Sequence, residues 1–330
     1  MLLCEASAAA DPEPAGRMKE YLINCTVQRE FHLLAFSISA DLQLLLFTGI
    51  LVMYLLTVLG NLIIIGLIYL NPQLHTPMYH FLCNLSVQDT IYVSSVLPKF
   101  LSILVTGDTR IAFPACITQM FFFIFCIVAE FLLLTSMAYD RYVAICIPLR
   151  YTIIMNKSLC VTLFSVSWIV GFFVSVIYAV LISNSSFCNS QVISHFYCDL
   201  KAMIEQSSSD ITGIKILLSM GCAFLGFTPF VLILISYSCI IATIMKIRSS
   251  AGRVKAFSSC SSHLTVVLLL CGTSLISYIA PESQVSREHD KFLSLMYIAL
   301  APMLNPLVYT LRNKQVLKSM DNILKKYLKC

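Results

Sequence analysis

Along this 330-residue chain, apolar runs of more than twenty residues are separated by short breaks where Pro, Gly, Asn or charged residues cluster. The breaks divide it into seven apolar stretches, at 43–70, 77–102, 113–146, 157–183, 213–247, 254–280 and 289–311. At a rise of ~1.5 Å per residue, each is long enough as a helix to cross ~30 Å of hydrocarbon. The short alternating strands of a membrane barrel are absent, and helices are the other structure that satisfies every backbone group without water. The pattern predicts an all-α membrane protein: an amino-terminal tail over 1–42, a seven-transmembrane helix bundle over 43–311, and a short amphipathic cytoplasmic helix with a carboxyl tail over 312–330.

Composition excludes the rival reading, a soluble helical bundle. Hydrophobic residues make up 58% of the chain and charged ones only 12%, with a mean hydropathy of +0.84, which leaves too little polar surface for a water-soluble fold. The charges are also unevenly placed. The segments after spans 1, 3, 5 and 7 hold 13 basic residues against two acids, Asp140 and Asp321, whereas the other side holds nine basic and 13 acidic residues. This asymmetry puts the first set in the cytoplasm and the amino terminus outside. The net charge of +5 is therefore a matter of topology, and nucleic acid is not an expected partner; membrane lipid is. Residues 1–30 lack the basic segment and apolar core of a cleavable signal, so the first span is expected to direct insertion. Of the four glycosylation sequons, those at Asn84 and Asn156 fall in a span or on the cytoplasmic side. Asn24, well clear of the bilayer, is a better acceptor than Asn184.

Eight of the 14 cysteines lie within or at the ends of spans, where a thiol behaves as a small hydrophobe. On the outer side Cys116 opens the third span, and Cys188 and Cys198 share the loop after the fourth. A bridge from Cys116 to Cys198 would pin that loop over the mouth of the bundle and stabilise it by up to ~4 kcal/mol.

Polar groups inside the bilayer carry the remaining chemistry. Asp89 and Glu130 each stand near the middle of a span, at similar depth. Two ionised carboxylates there would be very costly, so either one holds a proton or a small cation such as Na⁺ sits between them, helped by Asn61 and Asn305. A proton relay of a transporter and a purely structural polar knot are the other readings of this pair. Arg141 lies about 16 Å beyond Glu130, at the edge of the hydrocarbon beside Asp140, where a cation is a candidate switch. In the seventh span Pro306 leaves a backbone carbonyl without its donor, between Asn305 and Tyr309, which can re-pair in two arrangements.

Together these residues resemble a class A G-protein-coupled receptor and, within that class, an odorant receptor. The resemblance runs from about Met18 to the end. It rests on Gly60-Asn61, LHTPMYHFLCNLSVQD (Leu74 to Asp89), Pro98-Lys99, MAYDRYVAICIPLRY (Met137 to Tyr151), Ser236-Tyr237, KAFSSCSSH (Lys255 to His263), PMLNPLVY (Pro302 to Tyr309) and LRN (Leu311 to Asn313). It implies that Asp140 holds Arg141 at rest and releases it toward a G protein while Tyr237 and Tyr309 rearrange. It places Lys255 and His263 at the cytoplasmic end of the sixth span, Asn305 and Pro306 in the seventh-span switch, Asp89 and Glu130 in a mid-membrane ion site, and Cys116–Cys198 as the extracellular disulfide. The ligand would lie between spans 3, 5, 6 and 7, against Phe123, Ile124, Ile127 and Val128; Gly221, Cys222 and Leu225; Cys271, Ser274, Leu275 and Tyr278; and Ile298. The G protein would be of the stimulatory olfactory type, raising cAMP, with the receptor in the plasma membrane of an olfactory sensory neuron.

The chain departs from the family pattern in three places. Cys271-Gly272 stands where an aromatic residue usually precedes the glycine, Ser208 replaces the expected partner of Cys188, and the family's usual start matches MKEYLINCT from Met18. The matched ligand positions carry no charge, with Ser274 and Tyr278 as hydrogen-bonding handles, so a small, mostly apolar organic ligand is expected. No resident cofactor or metal is expected beyond the Na⁺ or proton at Asp89 and Glu130. Zinc-protease, paired-cysteine, phosphate-loop and nucleophile-elbow motifs are missing, so an enzyme is not expected. Seven non-repeating spans also lack the inverted repeats of a transporter, and a channel would need a filter or pore helix, which is not found.

Overall fold

The computed structural model describes residues 30–36, 38–187, 191–279, 287–311 and 316–318. It is a bundle of seven long helices: α1 (Ala40–Leu70), α2 (Pro77–Thr106), α3 (Phe113–Cys146), α4 (Lys157–Ser183), α5 (Thr212–Met245), α6 (Ser250–Ile279) and α7 (287–311). All except α6 are long and apolar enough by themselves to cross a membrane, and α6 carries the apolar segment His263–Ser277. The limits expected for α3 and α4 agree with those observed, while α2 runs four residues further, to Thr106. The helix expected after the seventh span, and the acceptor Asn24, fall largely or wholly outside the described residues.

Local chemistry sets the helix ends. Pro77 and Pro114 stand in the first turns of α2 and α3, where a missing N–H costs nothing. The side chain of Asn156 caps α4 by accepting from the Leu159 N–H at 2.9 Å. α2 stops at Gly107, whose φ of +71° is the left-handed conformation that favours glycine.

Two helices contain a wider π turn, at Cys222–Phe227 in α5 and Met296–Leu300 in α7. The first lies just before Pro229, which stands in the first turn of the regular helix that follows.

α3 is the axis of the bundle, packing against α2, α4, α5 and α6. Its most apolar window is 67% buried, against 28% for α4 and 11% for α5, which turn most of their surface outward. The approach of α4 to α3 is closest at Gly171, where a methyl group would lie 2.7 Å from the Phe125 carbonyl oxygen.

One end of the bundle carries a small sheet that the helical pattern did not predict. Strand β1 (Glu30–Leu33) lies between β2 (Arg110–Ala112), antiparallel to it, and β3 (Val192–Ile193), parallel to it. Phe31 and Leu33 are its buried side chains. Beside it, the Arg110 side chain hydrogen-bonds Asp108 and holds that exposed carboxyl down to about 2.

The loop between α4 and α5 is tied to the same end. Cys198 is disulfide-bonded to Cys116 across a sequence separation of 82, and its backbone N–H donates to Gln119 Oε1 at 2.8 Å. His195 of this loop is buried, its Nδ1 accepting from the Phe196 N–H and its ring edge-on to Tyr197. Burial pushes the imidazole down to about 3, against the opposing pull of Asp290 and Glu288, with Lys291 acting in the same direction as burial.

Two outcomes follow. Gly171→Ala should cost about 1–3 kcal/mol, because the added methyl forces α4 away from a backbone atom that cannot yield; the melting temperature of the purified protein would show it. An unfolded His195 takes its proton near pH 6.5 and the folded one resists it, so stability contributed by this residue is present above about pH 6.5 and is lost as pH falls below it. His195→Gln should flatten that part of the stability–pH curve.

Candidate functional site

Three sites are strung along α3. The first is a cavity near the disulfide, with about 100 Å³ of space in which the centres of water-sized groups can lie. From α3 it is lined by Phe123, Ile124, Ile127, Val128 and Phe131, and from α5 by Leu218, Gly221, Cys222, Leu225 and Gly226. Both sets follow the spacing of one helix face. Val174 and Tyr178 of α4, Ser274 and Leu275 of α6, and Leu200 of the loop complete it.

Nine of the twelve residues singled out from sequence therefore share this cavity. Cys271 does not: it is buried a turn away and lies within electrostatic reach of Glu130. Ile298 is packed in the core inside the π turn of α7. Tyr278 is on α6, but its side chain lies outside what the structure describes. Among the described residues the wall opposite α3 is thus made by α4 and α5 with α6, and the expected place of the seventh span is taken by the fourth.

The six additional lining residues differ in how visible they were. Phe131, Leu218 and Gly226 extend the same helical stripes, so the spacing of the others pointed to them. Val174 and Tyr178 stand one turn apart on α4, the span not expected at the cavity, and Tyr178 is its one phenol. Leu200 had no periodic signal, since the Cys198 bridge two residues earlier puts it there.

One cavity residue, Phe123, belongs to an aromatic cluster. Phe123 contacts Tyr92, Tyr197 and Tyr297, with centroids 5.6, 4.9 and 6.3 Å away. The hydroxyls of Tyr197 and Tyr297 are 3.0 Å apart; Tyr197 donates to Asp199, and Ser294 bonds Tyr297. Asp199 also accepts from the Ala202 N–H and so caps the short loop helix Leu200–Gln206.

The second site lies halfway along α3. Asn305 donates to Asp89 Oδ2 at 2.8 Å, and Asn61 and Glu130 are within electrostatic reach of Asp89. All four side chains are buried. Asp89 Oδ1, both oxygens of Glu130, and Oδ1 of Asn61 and of Asn305 have no hydrogen-bond partner. Buried oxygens are rarely left so, and this donor set of hard oxygens fits either a small cation or a shared proton.

The third site is at the far end of α3. Asp140 was expected to hold Arg141. The Tyr151 hydroxyl donates to Asp140 at 2.8 Å, and Arg141 is within electrostatic reach of the same carboxylate, with no direct ion pair between them among the described residues. Neighbouring residues on a helix point about 100° apart, which directs the two side chains to different partners. Arg141, its Nε without a hydrogen-bond partner, is within electrostatic reach of Tyr237, Cys260 and His263. Tyr237 and His263 are themselves hydrogen-bonded at 2.7 Å and stacked. Asn305 belongs to the second site, and Pro306 packs against Gly60, where an added methyl would meet its ring at 3.0 Å. The side chains of Lys255 and Tyr309 lie outside the described set.

Comparison with known proteins shows the family. The olfactory receptor family model matches residues 50–327. Human olfactory receptor 1C1 is 44% identical over 308 residues, covering 93% of this chain and 97% of its own length. Human olfactory receptor 2A12 is 44% identical, covering 91% and 97%. The olfactory receptor-like protein OLF3 of Canis lupus familiaris is also 44% identical, covering 89% and 92%. With that likeness spanning the bundle and all three sites, the chain belongs to the olfactory receptor family: it is a multi-pass, odorant-sensing G-protein-coupled receptor and not an enzyme.

Proposed function

We propose that this receptor binds a small, mostly apolar organic odorant in the cavity between α3, α4, α5 and α6, and that binding activates a stimulatory olfactory-type G protein and raises cAMP. The observation that carries the reading is the cavity itself. Its described lining contains no acid, base or histidine, so neither an amine nor a carboxylate would find a counter-charge, while apolar carbon would be well matched. On this reading Phe123, Ile124, Ile127, Val128, Gly221, Cys222, Leu225, Ser274 and Leu275 contact the ligand, and the loop held by the Cys116–Cys198 bond closes the cavity from outside.

The signal would leave at the other end. Arg141 is a cation with unused hydrogen-bonding capacity beside the Tyr237–His263 pair, which ties α5 to α6. Outward motion of α6 would break that pair and free the Arg141 guanidinium for the G protein, with Asp140, Lys255, Asn305, Pro306 and Tyr309 completing the switch. The basic residues of the loops and tail at this end favour a cytoplasmic location, with the amino terminus outside. The plasma membrane of an olfactory sensory neuron is the setting this implies.

Between the two ends, Asp89, Glu130, Asn61 and Asn305 would hold Na⁺ or a proton in the resting state. A bound cation offsets the repulsion of the two carboxylates, and its loss as the helices rearrange would couple the cavity to the switch.

The reading makes two expectations. Arg141→Ala should abolish odorant-dependent cAMP production in cells while leaving surface expression intact; full signalling by that variant would overturn the mechanism. Glu130→Gln should remove any dependence of odorant potency on Na⁺ or pH. A wild-type response indifferent to both would reduce the site to a structural element.

A further inference from the structure

Tyr178 stands apart from the other cavity residues. It is 4% exposed, in an otherwise apolar stretch of α4, and its hydroxyl makes no hydrogen bond among the described residues. A buried phenol ordinarily finds a partner. The hydroxyl reaches across to α5, where a methyl group built on Gly221 would lie only 3.1 Å from it, and Cys222 is in electrostatic reach. Gly221 thus leaves room beside the phenol that any larger residue would fill.

The other polar side chains lining the cavity are weaker hydrogen-bond donors. Ser274 gives its proton to the Leu270 carbonyl of its own helix at 2.5 Å, leaving only lone pairs toward the cavity. The Cys222 thiol donates poorly. The strong uncommitted donor in the described lining is the Tyr178 hydroxyl.

We propose that Tyr178 is the specificity-determining residue of the cavity, donating a hydrogen bond to a single acceptor oxygen on the odorant, with Gly221 providing the space for that oxygen. The ligand class is an uncharged ketone, aldehyde, ester or ether whose remainder is hydrocarbon lying along the α3 face. This deepens the proposed function and rests on it, because it requires the cavity to be the odorant site. A ligand with no acceptor would enter but leave the phenol unpaired, so its potency would be lower by roughly the worth of one hydrogen bond.

The test uses methyl ketones, alkyl acetates and alkanes of matched chain length on cells expressing the full chain with a cAMP reporter. Potencies are compared within each variant, so differences in surface expression cancel. In the wild type the oxygenated members should be the more potent. Tyr178→Phe, which keeps the ring and removes only the donor, should weaken ketones and acetates about 5- to 10-fold and leave alkanes unchanged. Gly221→Ala should act in the same direction. A cavity-filling Val128→Phe should depress responses to every member. If Val128→Phe suppresses all responses while Tyr178→Phe leaves the ketone-to-alkane ratio as in the wild type, the role of Tyr178 is wrong and the cavity stands. If Val128→Phe changes nothing, the cavity is not the odorant site. If the wild type answers none of the oxygenated members, the ligand class is wrong and the proposal falls.

Discussion

The burial of α3 is the constraint on which the rest depends. A helix surrounded by other helices must have each polar side chain met by a neighbour, because neither water nor lipid headgroups reach it. α3 carries Gln119, Glu130 and Asp140: Gln119 holds the loop at Cys198, Asp140 takes the Tyr151 hydroxyl, and Glu130 joins the cluster with Asp89 and Asn305 whose unpaired oxygens call for a cation or a proton. These contacts fix the rotation of α3 about its axis. Once that rotation is set, Phe123, Ile127 and Phe131 must face the cavity. Gly171 makes the arrangement possible by letting α4 approach the α3 backbone.

The cavity between α3, α4, α5 and α6, the mid-membrane carboxyls and the Arg141 cluster are therefore stations on one buried helix. A shift of α3 by a fraction of a turn would alter all of them at once. The two π turns lie on the helices that face it, α5 at the cavity and α7 beside Tyr297. Irregular turns of this kind are cheaper to rearrange than regular helix. One forms part of the cavity wall and the other carries Tyr297 of the aromatic cluster, both next to the helix that the bundle packs around.

Much of this was legible in the sequence. Span limits followed from apolar run length and from Pro77, Pro114 and Asn156, whose effects are local. Nine cavity residues were named from the resemblance to odorant receptors, and helical periodicity is the reason they share faces; the Asp89–Asn305 contact was expected because carboxylates in a bilayer need partners. What escaped was non-local. Cys271 and Ile298 failed to reach the cavity because the rotation of α6 and the π turn of α7 are set by tertiary packing. Tyr178 was missed because nothing in an isolated span says which neighbour it faces. The resemblance implied that Asp140 holds Arg141; the two are within electrostatic reach, but the hydrogen bond to the carboxylate comes from Tyr151, a loop residue that the sequence did not single out.

The small sheet has a consequence for how the molecule is built. Its middle strand, Glu30–Leu33, is made before any helix of the bundle, yet its partners Arg110–Ala112 and Val192–Ile193 come only with the second and fourth interhelical connections. Pairing across so long a stretch of chain carries a large closure entropy and forms late. The first segment of the described structure to be synthesised must therefore wait until more than half of the chain has been inserted, and its arrival marks the assembly of α1 to α4 around it. Until then Phe31 and Leu33, buried in the finished fold, are exposed. A chain that has not yet paired this strand thus differs from the finished one by two apolar side chains that the completed fold covers.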